Sequence, residues 1–334
     1  MDKRITRRRF IRIAAAAAGA SLLPGTADTR AMPPELRQWR GVALGADASL
    51  QVFHPDPVQA ERLITASLDE VRRLEGILSL YKPDSALVRL NRDGKLDAPP
   101  PELVELLAIS MQFSHLTAGV FDVTVQPLWE LYARHFSVPN ADPAGPPEEA
   151  VAAVRALVGH DAVEIDSRAI RLTKPGAKVT LNGIAQGYAT DRVADLLRAA
   201  GCEHTLVDMG EIRCIGDHPA RRPWDVALRD PREGFRPLGI VPLSEMSLAT
   251  SSGLGTPFEA SGRFNHIFEP SSGSCASRYL SVSVKTARAT TADALSTAFS
   301  LMPMSSAARV LAAGGGGEAL FVAWGGQLTH VPAA

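Results

Sequence analysis

The chain has 334 residues, of which 46% are hydrophobic and 21% are charged, and its formal net charge is -1. This length and composition predict a globular protein of about two domains, or one large one, and they exclude a disordered or coiled-coil chain. The near-neutral charge argues against a nucleic-acid binder that depends on bulk positive charge. Three cysteines, Cys202, Cys214 and Cys275, are too few for a disulfide framework and match no zinc spacing. We expect them to be small buried residues, with at most one disulfide.

Residues 1–31 are predicted to be an export signal rather than part of the fold. A basic stretch that includes Arg7, Arg8 and Arg9 precedes an apolar run over residues 13–23, which is too short for a permanent membrane span. Residues 6–12 resemble the twin-arginine export motif. The alternative is a basic amphipathic tail on a cytoplasmic protein.

Cleavage of this signal is expected near small residues, at Gly25 and Ala27 or at Thr29 and Ala31, and the sequence leaves both sites open. Removing the segment takes away a charge of +5, so the mature chain carries -6. A mildly acidic protein has no reason to coat an anionic membrane. We therefore predict a periplasmic protein that is exported already folded, with its ligand bound.

The N-terminal part of the mature chain is predicted to contain two long helices. Apolar residues recur at helical spacing over residues 58–79, and a second helix over residues 102–117 follows a proline run and ends near Gly119. Residues 140–147 are rich in Pro, Ala and Gly and are predicted to be a linker. This linker would divide the chain into subdomains of about 32–140 and 148–334.

The C-terminal part is predicted to alternate strands and helices, beginning with a short helix near Glu148. A helix over residues 184–200 is expected to be capped by Asn182 and ended by Gly201. The other elements are strands at 163–165, 169–172, 178–181, 204–207, 224–228, 238–243, 279–284 and 319–324, and helices at 292–301 and 305–312. Because strand pairs are joined by short turns, a purely parallel sheet is not expected. The prediction is a mixed α/β (α+β) fold without a transmembrane span.

Two polar segments stand out in the middle of the chain. In residues 119–125 a glycine-led turn enters a predicted strand that carries a carboxylate and a hydroxyl; a helix stop before a strand is the simpler interpretation. In residues 181–192, Gly183 and Gly187 lie at a helix start, where free amides favour an anionic phosphate. The alternative is that both glycines permit close helix packing.

Two further segments lie near the C-terminus. His266 is expected just inside a strand end, where it would accept a hydroxyl proton near neutral pH, unless it is a hydrogen-bonded structural histidine. Asp293 and Thr297 are four residues apart and share one helix face. A carboxylate and a hydroxyl suit magnesium, which would need diphosphate oxygens to complete six ligands. The alternative is a helix turn with a cap and a buried threonine.

Taken together and in this order, the four segments resemble the ApbE family of FAD:protein FMN transferases. The resemblance spans nearly the whole mature chain, residues 32–334. Further matching stretches are residues 43–46, 80–85, 90–91, 207–213 and 248–252.

The resemblance implies a fold of mixed and antiparallel sheets with flanking helices, in two subdomains with FAD in the cleft between them. It also implies a reaction: with Mg²⁺ bound, FMN passes from FAD to a threonine or serine of an acceptor flavoprotein, and AMP leaves. His266 would be the catalytic base. The implied metal ligands are Asp293, Thr297 and the backbone carbonyl of Gly183. The implied FAD contacts are Tyr81, Val120, Phe121, Asp122, Thr180, Gln186 and Ile267.

This sequence departs from the common family pattern at four positions, one of which is Asn182 in place of a glycine. Thr180 and Gln186 stand where the pattern has an aspartate and a lysine, and this version resembles a branch associated with nitrous-oxide respiration. The target of that branch is a membrane flavoprotein. Ser296 stands where some members have a second carboxylate, which implies weaker magnesium binding. Two alternatives stay open: a protein that binds FAD without transferring it, and a magnesium-dependent FAD pyrophosphatase.

Overall fold

The computed structural model describes residues 34–166, 168–232 and 237–334. The predicted export signal over residues 1–31 lies outside the described residues, so it stays a prediction. Thirteen strands and eight α-helices are present in the described part of the chain. The strands are β1 (Glu35–Ala43), β2 (Ala46–His54), β3 (Lys95–Asp97), β4 (Val163–Ile165), β5 (Ala169–Leu172), β6 (His204–Asp208), β7 (Ile212–Ile215), β8 (Trp224–Arg229), β9 (Pro237–Leu243), β10 (Ser247–Ser251), β11 (Ser281–Thr286), β12 (Glu318–Val322) and β13 (Leu328–Pro332). The helices are α1 (Pro57–Leu78), α2 (Ala86–Asp93), α3 (Pro101–Leu116), α4 (Gln126–Phe136), α5 (Glu148–Arg155), α6 (Ala185–Ala199), α7 (Ala289–Phe299) and α8 (Ala307–Ala313).

Eight strands form the main sheet, in the order β1-β2-β6-β7-β10-β11-β12-β13. Each pairing between neighbours in this sheet is antiparallel. Two smaller antiparallel sheets, β3-β5-β4 and β8-β9, complete the fold. The predicted mixed α/β fold with antiparallel sheets is therefore confirmed. The main sheet takes β1 and β2 from before residues 140–147 and the rest from after them, and the division into two subdomains stays a prediction.

A two-residue loop joins β1 and β2, the first hairpin of the main sheet. Ala43 pairs with Ala46, so the loop has two residues, Leu44 and Gly45, both with positive φ (49° and 82°). Two-residue loops of this kind match the right-handed twist of the flanking strands. The amide of Leu44 donates to Oε1 of Glu75 at 2.9 Å, which ties the hairpin to α1.

The two faces of the main sheet bury different partners. On β6, Val207 packs with residues of α1 and α6, whereas its neighbour Leu206 packs with Trp224 and Val226 of the β8-β9 hairpin. This division follows from the period of two in a strand, which sends successive side chains to opposite faces. The largest core cluster lies around α3 and α7 and includes Leu106, Leu295 and Phe299. Among the described residues no helix is both long enough and apolar enough to cross a bilayer.

Several local predictions were wrong. Residues 178–181 form no strand; the amide of Thr180 instead donates to the carbonyl of Val123 at 2.7 Å. Residues 123–125 form a short 3-10 helix rather than part of a strand. The N-cap of α6 is Ile184, not Asn182, and it makes no side-chain capping bond. All three cysteines are free thiols; Cys202 and Cys214 are buried as expected, whereas Cys275 is only partly buried.

Candidate active site

One cleft collects all four polar segments, which lie far apart in the sequence. Its volume is about 1190 Å³ when the solvent-open mouth is included. Ten of the eleven predicted site residues line it: Val120, Phe121, Asp122, Thr180, Gly183, Gln186, His266, Ile267, Asp293 and Thr297. Tyr81 is the exception: it is not part of this lining, and 58% of its surface is exposed.

The amide end of α6 is occupied by a carboxylate of the protein itself. Asp293 on α7 accepts a hydrogen bond from the backbone N–H of Gly187 at 2.9 Å. The first turn of a helix presents unsatisfied amides and a partial positive charge, which stabilise an anion. The sequence left open whether this end binds a phosphate or packs against a helix. In the structure Gly187 does pack against α7, because a Cβ there would lie 2.3 Å from the carbonyl oxygen of Ala289.

Gly183 brings its backbone close to Thr297. A Cβ on Gly183 would lie 2.9 Å from Oγ1 of Thr297, so only glycine leaves room for this approach. The hydroxyl of Thr297 is also 3.3 Å from Oγ of Ser251, and Ser251 bonds Ser296 at 2.8 Å. Thr297 and Asp293 lie one helical turn apart on α7, as their spacing predicted. The backbone of Gly183 and the side chain of Thr297 thus form one wall of oxygen donors.

A second acidic side chain, Glu211, also lines the cleft, and the sequence analysis did not single it out. Asp293 and Glu211 are 3% and 6% exposed. Burial raises the pKa of both carboxyls, and the negative charge of Asp293 raises the pKa of Glu211 further. Neither forms an ion pair with Lys, Arg or His within residues 34–166, 168–232 and 237–334. Two buried acids in such surroundings favour a bound cation or a proton.

This set of donors fits magnesium only with help from a ligand. No group of three or more His, Cys, Asp or Glu side chains with the geometry of a metal site occurs in the described part of the chain. The available donors are the Asp293 carboxylate, the Thr297 hydroxyl and the backbone of Gly183, all hard oxygens. Magnesium commonly keeps one or two carboxylates and takes its other ligands from water and substrate phosphates. The residues present fit such a site.

Asp122 is held by its own neighbourhood. Its Oδ1 accepts from the amide and hydroxyl of Thr124 at 2.7 and 2.6 Å, and Oδ2 accepts from the amide of His160 at 2.8 Å. Burial raises the pKa of Asp122, although the bonds from Thr124 oppose that rise. The carboxylate therefore fixes the turn at residues 120–124, and Val120 and Phe121 form the adjoining cleft wall.

His266 lies on an irregular segment, so its predicted place at a strand end was wrong. Only isolated bridges flank it, Pro257 with Asn265 and Phe268 with Cys275. Asn265 holds the segment: its Nδ2 donates to the carbonyl of Ala276 at 2.9 Å, and its Oδ1 accepts from the amide of Ile267 at 3.2 Å. His266 is thus carried into the cleft by a loop with a fixed backbone.

Apolar side chains also line the cleft. Val125, Trp129, Ile267, Phe268 and Leu301 are among them. Trp129 also stacks edge-on against Phe258, with ring centroids 5.8 Å apart, so an aromatic cluster supports this wall. Apolar side chains of this kind suit a flat aromatic ligand group, whereas the oxygen-bearing groups of Asp293, Thr297 and Gly183 suit a hard cation.

The fold and the cleft define a mixed α/β protein whose cleft is lined by both apolar side chains and oxygen-bearing polar groups. Comparison with known proteins gives the family. The ApbE family matches residues 44–321, and the chain belongs to that family. The resemblance inferred from the four segments is therefore confirmed.

Two curated relatives share the name FAD:protein FMN transferase. The chain is 30% identical to a FAD:protein FMN transferase of Vibrio cholerae over 280 residues, which are 81% of this chain and 82% of that protein. It is 31% identical to a FAD:protein FMN transferase of Haemophilus influenzae over 232 residues, which are 66% of each chain.

Solved structures agree with this assignment. The Pseudomonas stutzeri flavinyl transferase ApbE, in its apo form, has 27% identity and a TM-score of 0.72, covering 90% of this chain and 96% of that one. The ApbE protein of Thermotoga maritima has 27% identity and a TM-score of 0.77, covering 88% and 96%.

Proposed function

We propose that this ApbE-family enzyme transfers FMN from FAD to a threonine or serine hydroxyl of an acceptor flavoprotein, with Mg²⁺ as cofactor and AMP as the second product. The names of the relatives support the transfer from FAD to protein. The observation that carries the proposal is the placement of Asp293, Thr297, Gly183 and His266 around one cleft.

In this proposal, one set of cleft residues binds the metal and another set binds the flavin. Asp293, Thr297 and the carbonyl of Gly183 would hold Mg²⁺, which supplies charge stabilisation to the diphosphate oxygens during phosphoryl transfer. Trp129, Ile267 and the other apolar residues would hold the flavin and exclude water. The Gly187 amide orients the Asp293 carboxylate, which would lower the cost of arranging this ligand when FAD and Mg²⁺ bind.

The reaction balances with one proton acceptor. The acceptor oxygen forms a bond to the phosphorus on the FMN side, and the bond from that phosphorus to the oxygen bridging to AMP breaks. His266 would take the proton of the attacking hydroxyl, and AMP leaves with the bridging oxygen. Water in place of the protein hydroxyl would give free FMN and AMP, which is the pyrophosphatase alternative.

The place and partner of the reaction are part of the same proposal. Arg7, Arg8 and Arg9 and the apolar run after them support twin-arginine export to the periplasm. Gln186 and Asn182, in a sequence typical of the branch linked to nitrous-oxide respiration, support an acceptor in a membrane electron-transfer system. Replacing Arg7 and Arg8 by lysine should leave the precursor in the cytoplasm, which cell fractionation measures; normal export would contradict the proposed route.

One incubation tests the activity. Purified protein, FAD and Mg²⁺ are mixed with acceptor proteins that carry a short Ser/Thr flavinylation motif, and mass spectrometry follows both protein and nucleotide. An acceptor that gains FMN together with free AMP supports transfer. Free FMN and AMP without modified acceptor would instead establish a pyrophosphatase, and intact FAD would establish a binding protein.

A further inference from the structure

Asp191 on α6 binds the first turn of α7, the helix that carries Asp293 and Thr297. Its side chain is fully buried. Oδ1 accepts from the amide of Ala289 at 3.0 Å, and Oδ2 accepts from the amide and the hydroxyl of Thr290 at 2.9 and 2.6 Å. Three donors of one helix end thus converge on one carboxylate from another helix.

This bond pattern replaces the cap that α7 lacks. The N-cap residue of α7 is Arg288, which makes no side-chain capping bond of its own. Uncapped helix amides are costly when buried, and a carboxylate at this end also interacts favourably with the helix dipole. Asp191 is separated from Ala289 by 98 positions, so the cap exists only in the folded chain.

Asp191 belongs to a regular line of contacts between the two helices. Gly183 lies against Thr297, Gly187 against Asp293, and Asp191 against Ala289 and Thr290. From one contact to the next, the position on the first segment rises by four residues, starting at Gly183. The position on α7 falls by four residues, starting at Thr297. This opposite numbering is expected for two antiparallel segments. Asp191 therefore fixes the far end of the contact line whose other two members form the candidate metal site.

The charge of Asp191 is balanced by two arginines. Nη1 of Arg213 lies 2.7 Å from Oδ1, and Nε of Arg288 lies 3.2 Å from Oδ2. Asp195 bridges the same two arginines, at 2.9 Å from each, but it is 44% exposed. It makes no hydrogen bond to Ala289 or Thr290 in the described part of the chain. Asp195 is thus a matched acidic neighbour that shares the ion pairs and lacks the cap.

We propose that Asp191 is a positioning residue for the magnesium site: by capping α7 from α6, it sets the axial position of α7 and so holds Asp293 and Thr297 against Gly187 and Gly183. The inference rests on the proposed function, because it assigns Asp191 to the metal site of that reaction. It requires that loss of the cap weakens magnesium binding while the flavin end of the cleft is unaffected.

The test compares Asp191→Asn with Asp195→Asn. Asparagine keeps the size of the side chain, but one of the two oxygens becomes a donor that faces the donors of α7. Loss of a residue that orients metal ligands typically costs about 10- to 100-fold in metal affinity. In Asp191→Asn we expect the magnesium concentration for half-maximal FMN transfer to rise by about that factor, with KM for FAD at saturating magnesium unchanged. Asp195→Asn should keep the wild-type magnesium dependence.

Two measurements do not need turnover. Hydrogen exchange should speed up at the amides of Ala289 and Thr290 in Asp191→Asn and not in Asp195→Asn, because one of the two oxygens that accept from them is replaced by a donor. The rise in melting temperature on adding magnesium to the FAD-saturated protein, without acceptor, should need a higher magnesium concentration in Asp191→Asn than in the wild type. If the wild type transfers no FMN, the proposed function fails, and these two measurements still decide the role of Asp191.

A milder pair of variants covers the case in which Asp191→Asn does not fold. Thr290→Val removes only the hydroxyl donor to Asp191, and Thr290→Ser keeps it. Thr290→Val should shift the magnesium dependence in the same direction as Asp191→Asn, and Thr290→Ser should restore it. A folded Asp191→Asn or Thr290→Val with wild-type magnesium dependence would overturn the proposal, as would a wild type whose melting temperature does not respond to magnesium in the presence of FAD.

Discussion

Replacing Gly187 by alanine tests how tightly α6 and α7 are packed. A Cβ at this position would lie 2.3 Å from the carbonyl oxygen of Ala289, 2.7 Å from its carbonyl carbon and 2.8 Å from Cβ of Asp293. Real Cβ atoms do not approach so closely, and two of these atoms belong to backbone that no rotamer change can move. The helices must therefore separate if the variant folds.

Two opposing terms set the size of the effect. Alanine in a helix interior is favoured over glycine by about 0.5–1 kcal/mol. Overpacking a close-packed contact lowers the free energy of unfolding by about 1–3 kcal/mol. If the separation of the helices also breaks the hydrogen bond from the Gly187 amide to the Asp293 carboxylate, the loss of that bond costs about 1.5–3 kcal/mol more. The cost of the steric clash exceeds the gain in helix propensity, and we expect Gly187→Ala to lower the free energy of unfolding by about 2–4 kcal/mol.

Gly76→Ala provides the control. Gly76 lies in α1, and a Cβ at this position would have no neighbouring atom within 4 Å, so the same substitution has no clash there. It should be neutral or stabilise by up to about 1 kcal/mol. Urea unfolding followed by circular dichroism measures both variants. A Gly187→Ala protein as stable as Gly76→Ala would refute the reasoning, because it would mean that α6 and α7 are not in contact at this position.

The remaining predictions concern the site and its charges. Asp293→Ala should abolish transfer at ordinary magnesium concentrations while FAD binding weakens less; flavinylation at the wild-type rate would show that Asp293 is not a ligand. His266→Ala should slow single-turnover transfer at saturating FAD by about 10²- to 10⁴-fold with the melting temperature kept, and a destabilised variant with normal turnover would make His266 structural. Burial raises the pKa of Asp208 to about 7 from its ordinary value of 3.8. Between those values the folded state binds more protons than the unfolded state, so this group makes the free energy of unfolding fall as pH rises, by about 1.4 kcal/mol for each unit of pKa shift. Asp208→Asn should therefore gain stability relative to wild type between pH 4.5 and pH 8 in urea unfolding, and a difference that is independent of pH would contradict the raised pKa.

The elements that sequence reasoning found are those with a strong local pattern. The helices predicted over residues 58–79, 102–117 and 184–200 each lie within one residue of α1, α3 and α6 at both ends. The apolar spacing of these helices and the glycine or proline at their ends depend only on residues close together in the chain, so the helices can be predicted from the sequence. The helix predicted from residue 292 instead begins at Ala289, because its first turn is capped by a residue of another helix.

Elements without a local pattern were missed or wrong. Helix α2 has only eight residues, and β10 consists mainly of small and polar side chains, although three of its residues are buried. Residues 178–181 contain β-branched side chains and suggested a strand. Their backbone bonds go to Val123 and to the side chain of Asn91, which the local sequence does not specify.

The sequence by itself determined the family and the mixed α/β class. It also determined that Asp293 and Thr297 share one face of a helix. Motif order and a four-residue spacing can both be read along the chain without knowledge of tertiary contacts. Only the tertiary structure decided which groups meet. Glu211 comes beside Asp293, Gly187 takes its carboxylate from 106 positions away, and Asp191 caps a helix that begins almost a hundred residues later. These contacts depend on how the helices pack on the sheet, and packing is set by burial and close approach over the whole chain rather than by neighbouring residues.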